Sequence, residues 1–595
     1  MKKLFHYMKP YFGRMSVGLT IKVLGTLAEL ALPYILSLIL DEVIPAAVEA
    51  GDRDAGIRNT LIWGGLMVLC AIAALVFNVV ANRMASKVAR DTALSVRHDL
   101  FNSTLRLGCA QADGFTVPSL ESRLTTDTYN VHHMVGMMQR LGVRAPILLL
   151  GGLAITLFLD KVLTLVMMCV MPLIVLTVYL VSKRGVTLFK NSQRSGDAMV
   201  RVVREDAQGI RVIKALSRKE YEKERYAAVN DQLMKDEFRA SVTMAVSNPV
   251  INLCLNVGLV AVLIVGAYRV HAGVCLPGKI IAFIQYFTLL SNALLSITRI
   301  FMMMTKGTAS MNRINEVVEA AAAHTGAPLG SHLPRPTGSD EYLAFDHVSF
   351  SYRGKTDNLR DISFSLPRGG TLGVIGATGS GKTTLLSLLL RFYQIEEGRG
   401  GVYLDGKDIR DMTPEELRGH VGIAMQNDFL FAGTIRDNIR FDRGISDEQV
   451  EKAARLAQAY EFISALSDGF DHKLTAKGTN LSGGQKQRLL IARALAGDPD
   501  LLILDDASSA LDYRTDAMLR QALRENADER AEEGGLPPVT TVIIAQRVSS
   551  IKHADLILVL DRGAVIGAGT HDELNDTCPV YREIAQSQMG GAVLD

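Results

Sequence analysis

The 595-residue sequence shows no strong excess of charge, no paired cysteine spacing and few aromatic residues. Its 64 Lys and Arg nearly cancel 62 Asp and Glu, leaving +2, so no large field gathers nucleic acid and none is expected as a partner. The six cysteines (Cys70, Cys109, Cys169, Cys254, Cys275 and Cys578) never fall in a CxxC pair. Four of them lie within or beside apolar runs, which points to buried inert thiols rather than disulfides or metal ligands. Long apolar runs are missing from the second half, whose composition is that of an ordinary soluble domain. They crowd the first half, and this split accounts for 48% hydrophobic residues overall. The length suggests at least two domains, and up to four at roughly 100–200 residues each.

Six apolar stretches reach the roughly 20 residues needed to cross a bilayer. They run approximately Val17–Leu40, Leu61–Asn82, Leu141–Leu159, Val162–Val181, Val246–Tyr268 and Ile280–Ile300. The first is too long for a signal-peptide core and is interrupted by Lys22 and Glu29. Lys and Arg concentrate before the first span (Lys2, Lys3, Lys9, Arg14), after the second and after the fourth. The opposite connections, Asp41–Arg58, Asp160-Lys161 and Arg269–Lys279, are shorter and poorer in positive charge. By the positive-inside bias both termini are cytoplasmic, in a multi-pass protein of the cytoplasmic membrane.

The connections at 83–140 and 183–245 mix charges with spaced apolar residues, which predicts helices continuing beyond the membrane surface. Twenty-five such residues would project about 37 Å. Within the spans, Lys22, Glu29, Asn78, Asn82, Asn252, Asn256, Gln285 and Asn292 are polar. Such groups face a cavity or one another; the amides fit either a cavity or simple interhelical contacts, and Lys22 and Glu29 suit a cavity or a mutual pair.

A segment rich in Ala, Gly, Pro and Ser, about 319–340, reads as a linker. Domain boundaries of 1–318 for the membrane part and 341–595 for the soluble part follow. In the soluble part, TLGVIG reads as an apolar strand, and GATGSGKTT breaks it and opens a helix. This is Gly376-x-x-x-x-Gly381-Lys382-Thr383, a phosphate-binding loop in its strand–loop–helix context. The backbone of Gly376, Thr378, Gly379, Ser380 and Gly381 can close around phosphates, with Thr384 following in the helix. Lys382 suits the β- and γ-phosphates of ATP, and the Thr383 hydroxyl suits Mg²⁺. LLILD, Leu501–Asp505, supplies a second apolar strand ending in an acid for the Mg²⁺ side.

Between these lies Leu481-Ser482-Gly483-Gly484-Gln485. With the three motifs in this order, the chain resembles the ATP-binding-cassette (ABC) transporters over nearly its whole length. The type resembled is the exporter with six spans fused ahead of one nucleotide-binding domain. The fold implied is an α-helical membrane bundle with long cytoplasmic extensions plus an α/β P-loop ATPase domain. The resemblance further implies that Tyr352 stacks on adenine and that Gln426 senses Mg²⁺ and the membrane domain. It implies that Asp512 reaches across a dimer, and that Ser122–Asp127 and Gly209–Leu216 are coupling regions. In this family each ATP is gripped by one chain's P-loop and the other chain's signature, here Ser482, Gly483, Gly484 and Gln485.

Two positions depart from the family pattern. Asp506 stands where a Glu normally serves as general base, and Gln546 stands where a His is usual. Asp is one methylene shorter, and Gln can neither carry charge nor shuttle a proton. Ala476 likewise replaces a usual Glu, weakly suggesting altered coupling. The expectation is a half-transporter whose P-loop binds ATP but hydrolyses it poorly, paired with a different half that brings the missing Glu and His. The alternatives are a nucleotide-gated channel or membrane regulator, and a homodimeric lipid flippase. The membrane part begins within about fifteen residues, so no leader-peptide protease domain is expected before it. The cargo, whether multidrug compound, peptide or lipid, is left open.

Overall fold

In a computed structural model, residues 2–49, 53–323 and 341–589 are described, apart from Arg353, Lys355, Asn427, Ser508, Gly535 and Leu536. The chain forms two compact units. One comprises Met1–Arg106 and Phe115–Ala320, the other Leu107–Gly114 and Ala321–Asp595. The linker expected at 319–340 lies outside the described residues from 324 onward, and 319–323 belong to the end of a helix.

The first unit is helical. Its main helices are α1 (Phe12–Leu38), α2 (Arg53–Leu105), α3 (Thr128–Leu159), α4 (Lys161–Ala215), α5 (Lys219–Ala245), α6 (Ser247–His271) and α7 (Pro277–Ala323). Among the described residues, five helical stretches are long and apolar enough to cross a bilayer, and Lys161–Thr177 at the start of α4 adds a shorter apolar one. Helix α2 has 53 residues and α4 has 55, about 80 Å each. A bilayer's apolar core takes up only about 30 Å of that, so both extend well past it. Along α2, Leu61, Ile62, Leu69 and Leu75 are each more than 60% exposed. In water such a face would be costly; in lipid it meets matching solvent.

Among the polar residues inside the spans, Lys22, Asn78, Asn82 and Glu29 have side-chain partners. Lys22 Nζ donates to Asn78 Oδ1 (2.7 Å) and Asn82 Oδ1 (3.0 Å). Glu29 pairs with Arg144 on α3, a residue not among the polar positions picked out from the sequence. Lys22 and Glu29 therefore take different partners. Asp160 caps α4 by accepting from Val162 and Leu163 N–H and also pairs with Arg269, closing the end of this bundle. At Ser122–Asp127, Asp127 pairs with Arg313 and Arg123 with Glu316 of α7.

The second unit carries β1 (Glu341–Phe350), β2 (Leu359–Pro367), β3 (Thr371–Gly376), β4 (Gly401–Leu404), β5 (Lys407–Asp408) and β6 (Val421–Ala424). It continues with β7 (Gly433–Thr434), β8 (Lys473–Leu474), β9 (Leu501–Asp505), β10 (Thr540–Ile544), β11 (Leu556–Asp561) and β12 (Ala564–Gly569). An antiparallel sheet orders β2-β1-β4-β5, and a six-stranded sheet orders β12-β11-β3-β10-β9-β6. In the larger sheet only β12 is antiparallel to its neighbour. LLILD is buried at every position because a parallel sheet is covered on both faces. Register pairs Ile544 with both Asp505 and Val374, so β9 and β10 end level and β3 runs two residues further, to Gly376. Loops leaving the carboxyl ends of such strands converge, and the candidate site is built there.

Candidate nucleotide-binding and hydrolysis site

The phosphate loop leaves β3 at Gly376 and enters the helix Lys382–Leu389 through Gly381. Gly379 has φ +83° and Gly381 φ +109°, conformations that an L side chain rarely adopts. A Cβ on Gly376 would run into Leu560 O and Ser380 Oγ, so the loop's first position is also glycine for want of space. Thr378 and Thr383 are exposed and Thr384 is buried. Ser380 is 3% exposed, and its Oγ has no partner. Lys382 Nζ donates to Gly376 O (2.7 Å) and Ala377 O (2.9 Å), curling back over the loop it would serve. Burial lowers its pKa, opposed by Asp505 and Asp506. The helix start, the glycine turns and a cation held on carbonyls it can release suit a polyphosphate.

Asp505 ends β9 and is 5% exposed; Asp506 follows in the left-handed region at φ +49° and is 9% exposed. Burial raises both carboxyls above the usual carboxylate range. Hydrogen bonding from Gln426 and charge from Lys382 act against burial at each. The turn is fixed by Asp506 N–H on Ile544 O (2.8 Å) and by Ser509 Oγ on Asp506 O (2.8 Å). Two amides converge on one oxygen: Gln426 Nε2 and Gln546 Nε2 donate to Asp506 Oδ2 at 3.1 and 3.0 Å. Gln426 arrives from the loop after β6 and Gln546 from the loop after β10.

Tyr352, just past β1, is 42% exposed and donates to Thr384 Oγ1 (3.3 Å). A cavity of about 670 Å³ opens beside it, lined also by Tyr393 and Asp113. Tyr393 meets Tyr352 edge to face at 4.8 Å and hydrogen-bonds Asp113. Ser482 caps the helix Gly483–Leu495, its side chain accepting from Gln485 N–H while Gln485 reaches back to Ser482 N–H. Ser482 and Gly483 are exposed. Asp512 is exposed and accepts from Thr515 N–H (2.8 Å) and Oγ1 (2.9 Å) at the start of the helix Tyr513–Gly534. These bonds hold its pKa low.

The structure thus gathers the P-loop, Asp505, Asp506, Gln426 and Gln546 at one sheet edge, with Tyr352 beside the loop, and leaves Ser482, Gly483 and Asp512 exposed and Gly484 and Gln485 half-buried. It adds residues the sequence did not mark. Gln588 on the C-terminal helix Pro579–Met589 accepts from Val548 N–H (2.8 Å) and donates to Gln546 O (2.9 Å), bracketing the Gln546 segment. Tyr393 and Asp113 join the site only through the tertiary fold, and no local pattern announces them, whereas Ser509 reaches Asp506 O within one turn, three residues along.

A family model described as the ABC transporter transmembrane region matches residues 15–294, and one described as ABC transporter matches 359–509. The chain is 32% identical to the uncharacterized ABC transporter ATP-binding protein YfiB of Bacillus subtilis, with 99% of both chains covered. It is 31% identical to the putative ABC transporter ATP-binding protein exp8 of Streptococcus pneumoniae, covering 99% of this chain and 97% of that one. A solved bacterial Atm1-family ABC exporter with ATP bound shares the fold at a TM-score of 0.80 and 24% identity, covering 97% of this chain and 98% of that one.

Proposed function

This chain belongs to the ABC transporters as a half-transporter of exporter architecture, and from that premise we propose that it is the slow-hydrolysing half of a heterodimeric exporter. The nucleotide-binding domain is an ATPase coupled to transport, and a half-transporter works in a bilayer with a second half. The slow half is set by Asp506. Its carboxylate is short for a base, and the oxygen turned toward Gln426 and Gln546 already accepts from both amides. An amide at Gln546 supplies no proton relay. A site that depends on this pair grips ATP without activating water efficiently. The loss of a general base corresponds to about 10²–10⁴ in rate.

Thr383, Gln426 and Asp505 would hold Mg²⁺. Buried, oxygen-rich Asp505 and exposed Thr383 fit a hard cation, which would neutralise phosphate charge. The intact signature Ser482–Gln485 completes the partner's competent site, while the partner's signature closes over this chain's P-loop. The cargo leaves the cell across the cytoplasmic membrane, and both termini face the cytoplasm. The observation that carries this reading is the double amide contact on Asp506. Its test is ATP turnover by the purified chain alone. The wild type should run about 10²-fold or more below its Asp506→Glu/Gln546→His variant, and turnover as brisk as the variant's ends the proposal.

A further inference from the structure

On the ATPase unit, a cavity of about 440 Å³ lies at the opposite, amino-terminal ends of the strands that carry the phosphate loop. Thr371 of β3, Leu502 of β9 and Thr541 of β10 form its floor. That volume is within the range that encloses a small organic molecule. Its lining includes apolar Leu456, Leu523, Val539, Ile543 and Ala554. It also includes Lys452, Arg520, Arg524, Arg530 and His553. The carboxylates on the lining are Asp498 and Glu529.

The cations are unequally engaged. Arg520 is committed to Asp516 and to Ser549 O. Arg530 pairs with Asp498 and Asp500, its side chain is only 6% exposed, and its Nε has no partner. Lys452 and Arg524 form no ion pair among the described residues. Arg520 and Arg524 both bear electrostatically on His553, which places the three close together. A lining that combines apolar side chains, two cations without an ion pair among the described residues and a buried, unfilled N–H is the complement of an anion carried on an apolar body.

We propose that this cavity binds an amphipathic organic anion, a carboxylate or sulfonate on an aromatic or alkyl body, and that its occupancy restrains the segment carrying Gln546. The connection is direct. Ser550, His553 and Ala554 of the lining follow Gln546 within eight residues, and Arg520 ties the helix Tyr513–Gly534 to Ser549 O. A body packed against these residues resists their displacement, and with them the movement of the loop that reaches Asp506. Binding here is independent of how fast the site hydrolyses ATP.

The probe is naphthalene-2-sulfonate, with neutral naphthalene-2-methanol as its control, and the readout is amide hydrogen exchange on the detergent-solubilised full chain. At about ten times Kd, exchange through local opening should slow about tenfold in peptides spanning 520–530 and 546–554. Lys452→Glu/Arg524→Glu, both at exposed positions, should remove that protection without altering exchange elsewhere in the domain. Absence of protection by the sulfonate, protection that survives the double variant, or equal protection by the alcohol would each overturn the proposal. Protection confined to the helical unit would overturn it too.

Discussion

At the scale of single residues, the active edge of the sheet puts two carboxylates where burial disfavours their charge. Asp505 and Asp506 are both pushed upward, whereas the capping acids Asp437 and Glu573, exposed and hydrogen-bonded to Thr434 and Thr570, are held low. The two groups therefore act on stability with opposite signs. A carboxyl whose folded pKa exceeds its unfolded one binds its proton more tightly in the fold. Its contribution falls as pH rises from the unfolded value near about 3.9 through the folded one, and above both the full burial cost remains. A capping acid contributes stability at neutral pH that is lost as pH falls. Asp506→Asn isolates the first effect, because its side-chain oxygen can still accept from Gln426 and Gln546. The variant should unfold at a higher temperature than wild type at pH 7, with the gain shrinking toward pH 4. A gain that stays constant with pH would mean that Asp506 is charged in the fold at no cost.

At the scale of elements, the sequence was readable where a local pattern is also the whole structural cause. LLILD, read as an apolar strand, is one, and GATGSGKTT, read as breaking a strand and opening a helix, does so. Ser482 and Gln485 likewise act locally, each side chain satisfying the other's backbone N–H at the start of a helix. What was not readable depends on elements distant in sequence. Nothing in PVYREIAQSQM marks Gln588 as the residue that brackets Gln546, because the contact spans 40 residues to Val548 and exists only once the C-terminal helix has packed. The charge of Arg144 inside the run 141–159 is visible in the sequence, but its pairing with Glu29, 115 residues away, is not. The bracket has a measurable consequence. Gln588→Ala removes the acceptor of Val548 N–H, and a hydrogen bond of this kind is worth about 1 kcal/mol, roughly a fivefold change in local opening. Exchange at the Val548 amide should quicken about fivefold while the β3 amides are unaffected. Unchanged exchange at Val548 would show that the helix only rests against this loop.

At the scale of the whole molecule, the proposed heterodimer gives the two ATP-handling surfaces of this chain different fates. In it the P-loop and Asp506 would serve one composite site, and the signature would serve the other. In a homodimer every site would contain both, so damage to either surface would lower turnover alike. In the heterodimer proposed here they separate. Turnover is dominated by the site where the partner brings its own base and this chain brings Ser482–Gln485. Replacing Ser482 by Arg keeps the helix Gly483–Leu495 packed through its buried Leu489, Leu490 and Ile491 but puts a bulky cation where phosphate-facing donors must approach. Loss of such a contact typically costs about 10²-fold in rate. Asp506→Asn strikes only the site that is already slow. On the complex that copurifies with tagged chain, Ser482→Arg should cut ATP turnover about 10²-fold, and Asp506→Asn should leave it within about twofold, since a step that is not limiting can lose its base unnoticed. Equal losses from the two substitutions would place both surfaces in every working site and make this chain its own partner.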